Sequence, residues 1–226
     1  MKPLKIGILG GIGPEATGKF YLELINRLQK EKLITQNADY PQIIVNSIPA
    51  KELIFEEIKN EDLEVYIKGL KELDAMQVDF IVMVCNTIHL FHEELQSKIN
   101  TQIIDLRKEV FKELKKSNIN QVTIIGTPNT ISQGLYNFPN IQYYNPDKKD
   151  VAILSKSINK FNQGIDKDKE RKIVLEIVKR NMTKGSETVI LACTEFATML
   201  NKENFPKINT MGLLVNCVID EYKKVK

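Results

Sequence analysis

A chain of 226 residues with 42% apolar side chains is long enough for one sizeable core or two small ones, and too long for a miniature held by disulfides or a metal. Its 32 basic and 29 acidic residues leave a net charge of +3 with both signs interspersed, which argues against a nucleic-acid or acidic-membrane partner. Three widely spaced cysteines without a C-x-x-C pair, two histidines and no apolar run of about 18 residues argue against a disulfide framework, a zinc site and a membrane span. Leu4-Lys5-Ile6-Gly7-Ile8-Leu9 reads as a strand stopped by Gly10-Gly11-Ile12-Gly13-Pro14, and Phe20, Leu24 and Leu28 then recur at helical spacing. Pro14 suits the first helical turn, where its missing N–H is no loss. A strand follows at Ile43-Ile44-Val45, then a helix with Leu63, Tyr66, Leu70 and Leu73 on one face, then the buried strand Phe80-Ile81-Val82-Met83-Val84, which ends at Cys85.

After a helix around Leu106 to Leu114 the chain starts again. Val122-Thr123-Ile124-Ile125 runs into the turn Gly126-Thr127-Pro128, charge-rich helices fill the region 148–180, and Thr188-Val189-Ile190-Leu191-Ala192 ends at Cys193. Met211, Leu214, Val215, Val218, Ile219 and Tyr222 mark one terminal amphipathic helix. Apolar strands alternating with helices predict the α/β class, with parallel sheets covered on both faces. Each half opens with a strand and a glycine turn and later contains a strand ending in cysteine, so two related halves facing one another are predicted. With no signal-peptide apolar core before the first glycine turn, a reducing cytoplasm is the expected setting.

In open parallel sheets ligands bind beyond the carboxyl ends of the strands, where Cys85 and Cys193 are both predicted. A thiol just before a helix N-terminus sees the positive end of the peptide dipoles, which lowers its pKa from about 8.5. Asn86-Thr87 and Thr194 add amide and hydroxyl donors suited to a carboxylate. Two sulfurs approaching one ligand from opposite sides, one a thiolate and the other a thiol, can carry a proton through a carbon, which is racemisation. A cysteine after an apolar strand is commonly just a small buried residue, but two in matched settings favour chemistry. Cys217 has neither the strand nor the polar follow-up and is assigned to packing.

Gly10-Gly11-Ile12-Gly13-Pro14-Glu15-Ala16-Thr17, Val84-Cys85-Asn86-Thr87-Ile88-His89 and Ala192-Cys193-Thr194-Glu195-Phe196 resemble the three motifs of the aspartate/glutamate racemase family, in particular its aspartate racemase branch. The resemblance covers essentially the whole chain. It implies an amino-acid racemase that uses no cofactor or metal, with aspartate the first expected substrate and glutamate or a broader set left open. The implied architecture is two similar Rossmann-like parallel-sheet halves related by pseudo-symmetry, with the active site in the cleft between them. The C-terminal helix would pack back onto the first half, dividing the chain into residues 1–104 plus 208–226 and residues 105–207, and a homodimer is implied as well.

Under this resemblance Cys85 and Cys193 are the two bases. The α-carboxylate would be held by Asn86, Thr87, Thr127 and Thr194, with the backbone N–H groups of the turns at Gly11 and Gly126 nearby, and the distal carboxylate by Lys51 and Lys149. Lys51 stands where the family pattern usually has Arg, so a bidentate clamp is replaced by a point charge. His89, four residues past Cys85, would share its face on an α-helix. It is read as fixing that helix in preference to acting in catalysis. Glu195 is read as a helix N-terminal charge in preference to a group that orients a neighbour.

Other readings remain open at this level. Gly11-Ile12-Gly13-Pro14-Glu15-Ala16 also fits the dinucleotide pattern, but the expected acidic residue is missing, since Val45 is followed by Asn46-Ser47-Ile48. A hydantoin racemase, maleate isomerase or arylmalonate decarboxylase would share the two-half scaffold. A non-catalytic protein that clasps a dicarboxylate would too.

Overall fold

The computed structural model describes residues 3–54 and 58–225. The first half runs β1 (Lys5–Gly10), α1 (Pro14–Lys30), β2 (Gln42–Ser47), α2 (Asn60–Ala75) and β3 (Phe80–Met83), followed by a 3-10 turn at Thr87–Phe91 and α3 (His92–Gln96), and α4 (Leu106–Lys116) leads into the second half. The second half runs β4 (Gln121–Gly126), α5 (Pro128–Ser132), β5 (Gln142–Tyr143), α6 (Lys148–Asn162), α7 (Lys167–Met182), β6 (Thr188–Ala192), α8 (Thr194–Met199) and β7 (Lys207–Asn209), and α9 (Thr210–Lys224) closes the chain.

Two parallel sheets result, ordered β2-β1-β3 and β5-β4-β6-β7. In each, the strand that enters a glycine turn lies beside the strand that enters a cysteine: Leu9 is in register with Met83, and Gly126 with Ala192. The repeat read from the sequence is therefore a repeat of topology, and it sets both cysteines beyond the carboxyl ends of equivalent strands. Strands β5 and β7, of two and three residues, escape a sequence reading because they are too short to carry a period.

The strands of the first sheet are apolar on both faces because each face meets a different partner. Ile6, Ile8 and Val82 join one large apolar cluster with Leu24 of α1, Val110 of α4, Ile124 and Leu191 of the second sheet, and Leu214 of α9. Leu9, Ile81 and Met83 point the other way, onto Leu63, Tyr66, Leu70 and Leu73 of α2. Since the large cluster is continuous from one sheet to the other, packing sets the spacing between the strand ends.

Helix α9 packs against α1 and α4. Arg27 Nη1 donates to Asn216 Oδ1 at 2.7 Å, and Lys223 Nζ lies 2.7 Å from Glu31 Oε2. β7 pairs with β6, so a boundary before residue 208 falls within a strand of the second sheet. Gly11 carries φ +87°, and a Cβ there would sit 2.1 Å from the carbonyl oxygen of Ile48, so only glycine lets the first turn pass under the loop after β2. Among the described residues, no helix is long and apolar enough to cross a membrane.

Candidate active site

The carboxyl ends of β3 and β6 open on one cavity. Ile12 and Gly13 of the first glycine turn line it, with Glu52, Leu53 and Ile54 from the loop after β2, Cys85, Asn86 and Thr87 after β3, and Thr127 after β4. Ile158 and Asn162 of α6 and Cys193, Thr194 and Glu195 after β6 complete the wall. Six residues singled out from the sequence, Cys85, Asn86, Thr87, Thr127, Cys193 and Thr194, thus meet around one space.

Gly11, Lys51 and Lys149 do not line it. The Gly11 N–H is occupied by Thr17 Oγ1 at 3.0 Å. Lys51 is 58% exposed, with its Nζ 3.9 Å from Asp62 Oδ1. Lys149 is exposed in the first turn of α6, at the opposite end of that helix from Ile158 and Asn162.

Cys193 caps α8 and is buried with its Sγ donating to Glu195 Oε2 at 2.9 Å. Thr194 Oγ1 donates to the same oxygen at 3.1 Å. Glu195 is only 5% exposed, and burial raises its pKa above the ordinary carboxylate value, making it a stronger base than a surface glutamate. Its other oxygen lies where a side chain on Gly13 would begin: a Cβ there would stand 2.3 Å from Glu195 Oε1, and Gly13 has φ +92°. Glycine at this position of the first half therefore admits the carboxylate of the second. Glu195 stands in the first turn of α8 as the sequence reading has it, and its side chain also folds back onto the thiol of its own cap residue, the contact of a group that orients a neighbour.

The expectation of lowered thiol pKa values is also overturned. Burial pushes Cys85 up to about 12, although the amides of Ile88 and Thr87 pull the other way. Cys193 is raised well above its usual value, by burial first and then by the charge of Glu195. The local dipole argument fails because the turn after Cys85 spans five residues and α8 six, too short for much alignment of peptide dipoles, while desolvation acts on the whole sulfur. Both sulfurs rest as thiols.

Around them lies a mesh of hydroxyls. Thr87 Oγ1 is 3.1 Å from Thr127 Oγ1 and 3.0 Å from Thr130 Oγ1, and the Thr130 N–H donates to Thr127 Oγ1 at 3.1 Å. Asn86 is engaged at both ends of its amide: Nδ2 donates to Thr210 Oγ1 at 3.1 Å, and Oδ1 accepts from the buried Tyr136 hydroxyl. It braces the cavity floor between the halves. Thr130, Tyr136 and Thr210 were not legible as site residues. Thr130 had a signal in hindsight, standing three residues past Thr127 as the N–H that an N-cap hydroxyl satisfies. The other two are tertiary partners with no local mark.

His89 is fully buried and absent from the cavity wall, with its ring stacked on His92 at 6.0 Å between centroids. The i,i+4 argument does not apply because the segment is a 3-10 turn, with three residues per turn, so a residue four positions on leaves the face of Cys85. Nearby, His92, Glu93 and Asp105 bring ligand atoms within 4.8 Å of one another, but Arg107 already donates to Asp105 Oδ1 at 2.9 Å and Glu93 Oε1 at 2.6 Å.

Burial, followed by the neighbouring His92, lowers the His89 pKa from 6.5 to about 3. The unfolded chain takes up this proton near pH 6.5 and the folded chain does not, so stability present above that pH is lost as pH falls toward 3. The thermal midpoint should therefore drop across this window, and His89→Phe should flatten the drop. Equal slopes for the two proteins would contradict the assignment.

The Asp/Glu/Hydantoin racemase family profile matches residues 9–218. The chain belongs to the Asp/Glu/Hydantoin racemase family. Among Asp/Glu/Hydantoin racemase relatives, the broad specificity amino-acid racemase RacX of Bacillus subtilis (strain 168) is 24% identical over 226 residues, covering 96% of this chain and 97% of the relative. The Picrophilus torridus aspartate racemase superposes with a TM-score of 0.81 at 24% identity, over 97% of this chain and 94% of the other. An aspartate racemase homologue from Pyrococcus horikoshii OT3 gives 0.74 at 24% identity, over 97% and 99%. The structural likenesses establish the fold.

Proposed function

We propose that this chain is a cofactor-independent amino-acid racemase that moves the Cα proton between Cys85 and Cys193. The observation that carries the reading is the pair of buried thiols, delivered from equivalent strand ends of the two halves to one cavity.

The chemistry follows from what stands beside each sulfur. Cys193 passes its proton to the Glu195 carboxylate, which already accepts its hydrogen bond. The α-ammonium of a bound amino acid brings a positive charge that favours the thiolate so formed. The thiolate removes the α-proton, and Cys85 gives its own proton to the opposite face of the carbon. One C–H bond breaks and one forms, Cys193 ends as a thiol, and Cys85 ends as a thiolate facing the amides of Thr87 and Ile88. Glu195 then gives up its proton to solvent and the Cys85 thiolate takes one up, which restores two thiols and a carboxylate; the other enantiomer follows the same sequence backwards, from the Cys85 thiolate with Glu195 protonated. Charge that develops on the α-carboxylate falls among the hydroxyls of Thr87, Thr127 and Thr194, and donors arranged before the reaction are the largest source of barrier lowering at such a centre.

Aspartate is the first substrate to test on the strength of the sequence motifs. The purified protein, without added pyridoxal phosphate, should convert single enantiomers toward an equal mixture when a panel of amino acids is followed by chiral chromatography. No change of enantiomer in any of them would refute the racemase reading.

A further inference from the structure

We propose that the side chain of the substrate is basic, an aliphatic stem ending in an ammonium or guanidinium, and that Glu52 at the rim of the cavity is its carboxylate partner. The proposal rests on the racemase reading of the same site.

Among the described residues, no Lys or Arg lines the cavity, whose charged residues are Glu52 and Glu195. Glu195 is held by Cys193 and Thr194 at the reacting end. Glu52 is exposed and accepts from Asn162 Nδ2 of α6 at 2.9 Å, a contact that orients its carboxylate and leaves it acceptor capacity for a ligand. Glu52 also bears on Glu195, whose pKa it pushes up, so the two carboxylates share one electrostatic space. A β- or γ-carboxylate entering there would meet like charge with no Lys or Arg among the described lining residues to offset it.

The two lysines suited by sequence to a dicarboxylate stand elsewhere. Lys51 and Glu52 are chain neighbours that diverge, Lys51 toward Asp62 and Glu52 toward the cavity. Lys149 precedes Ile158 on α6 by about 13 Å of helix rise. In sequence, residues 52–57 read Glu-Leu-Ile-Phe-Glu-Glu, without Lys or Arg. The apolar side chains of the described lining other than the cysteines, Ile12, Leu53, Ile54 and Ile158, are aliphatic. A methylene stem packs against such a wall while its charged end reaches the rim.

The test compares kcat/KM for lysine, arginine, aspartate and methionine in the wild type, Glu52→Gln and Glu52→Arg, alongside calorimetric binding of lysine and aspartate. Lysine or arginine should exceed aspartate by at least about tenfold in the wild type, the effect of one charged hydrogen bond. Glu52→Gln should lower the lysine-to-methionine ratio by about the same factor, chiefly through KM. Glu52→Arg should raise aspartate relative to lysine. A wild type that prefers aspartate to lysine and arginine, or a Glu52→Gln variant that lowers lysine and methionine alike, would overturn the assignment and leave the racemase reading standing. Lysine bound through Glu52 without racemisation of any amino acid would overturn the racemase reading and support the side-chain assignment. Neither turnover nor lysine binding would overturn both.

Discussion

Cys85→Ala and Cys193→Ala should each lower racemisation by about 10²–10⁴-fold, the usual range for removing a positioned proton donor or acceptor. Each variant keeps one thiol on one wall of the cavity, so it can still remove and return the α-proton on a single face. Solvent exchange with retention should therefore survive for one enantiomer in Cys85→Ala and for the other in Cys193→Ala. Cys217 lies half-buried on α9, away from the thiol cavity, and Cys217→Ala should leave kcat/KM close to wild type. Circular dichroism and chiral chromatography together distinguish lost chemistry from lost folding. A Cys193→Ala protein that racemises at the wild-type rate would remove the second base.

The next largest effect belongs to Glu195. Glu195→Gln keeps the shape of the side chain and removes the acceptor for the Cys193 proton, so kcat/KM should fall by roughly 10²-fold. Enantiomers have equal free energies, so kcat/KM must fall by the same factor in both directions, although kcat and KM separately need not. The pH profile separates a proton acceptor from a merely structural group. In the wild type, activity should fall as pH drops through the raised pKa of Glu195, because the protonated carboxyl cannot accept from the thiol. In Glu195→Gln that acid limb should vanish, and activity should instead climb with rising pH as hydroxide takes over ionising Cys193, whose own pKa burial has raised. A uniform loss with an unchanged profile would show that Glu195 only shapes the cavity.

The fold was largely legible because its signals are local. The apolar runs ending at Val84 and Ala192 announce strands buried on both faces, and the glycine turns after Leu9 and Ile125 mark where each half begins. The cysteines were legible as a pair because the topology repeats. What stayed hidden depends on contacts between segments distant in sequence. Glu195 reaches its own cap residue only because Gly13, from the other half, leaves it room. The thiol pKa values follow burial, which a strand-end position does not reveal. His89 was placed by an α-helical period that a 3-10 turn does not follow, and the lysines at 51 and 149 carry the right charge at sequence positions whose side chains turn away from the cavity.

The central claim, that two thiols on opposite walls exchange the α-proton, is tested most directly by running the wild-type reaction in deuterium oxide and stopping it at low conversion. The thiol that protonates the product face has exchanged with solvent before the substrate binds. Mass spectrometry should therefore find α-deuterium in the product enantiomer while the remaining substrate keeps its protium. Equal labelling of substrate and product from the earliest times would mean that a single base serves both faces, and would contradict the two-thiol account.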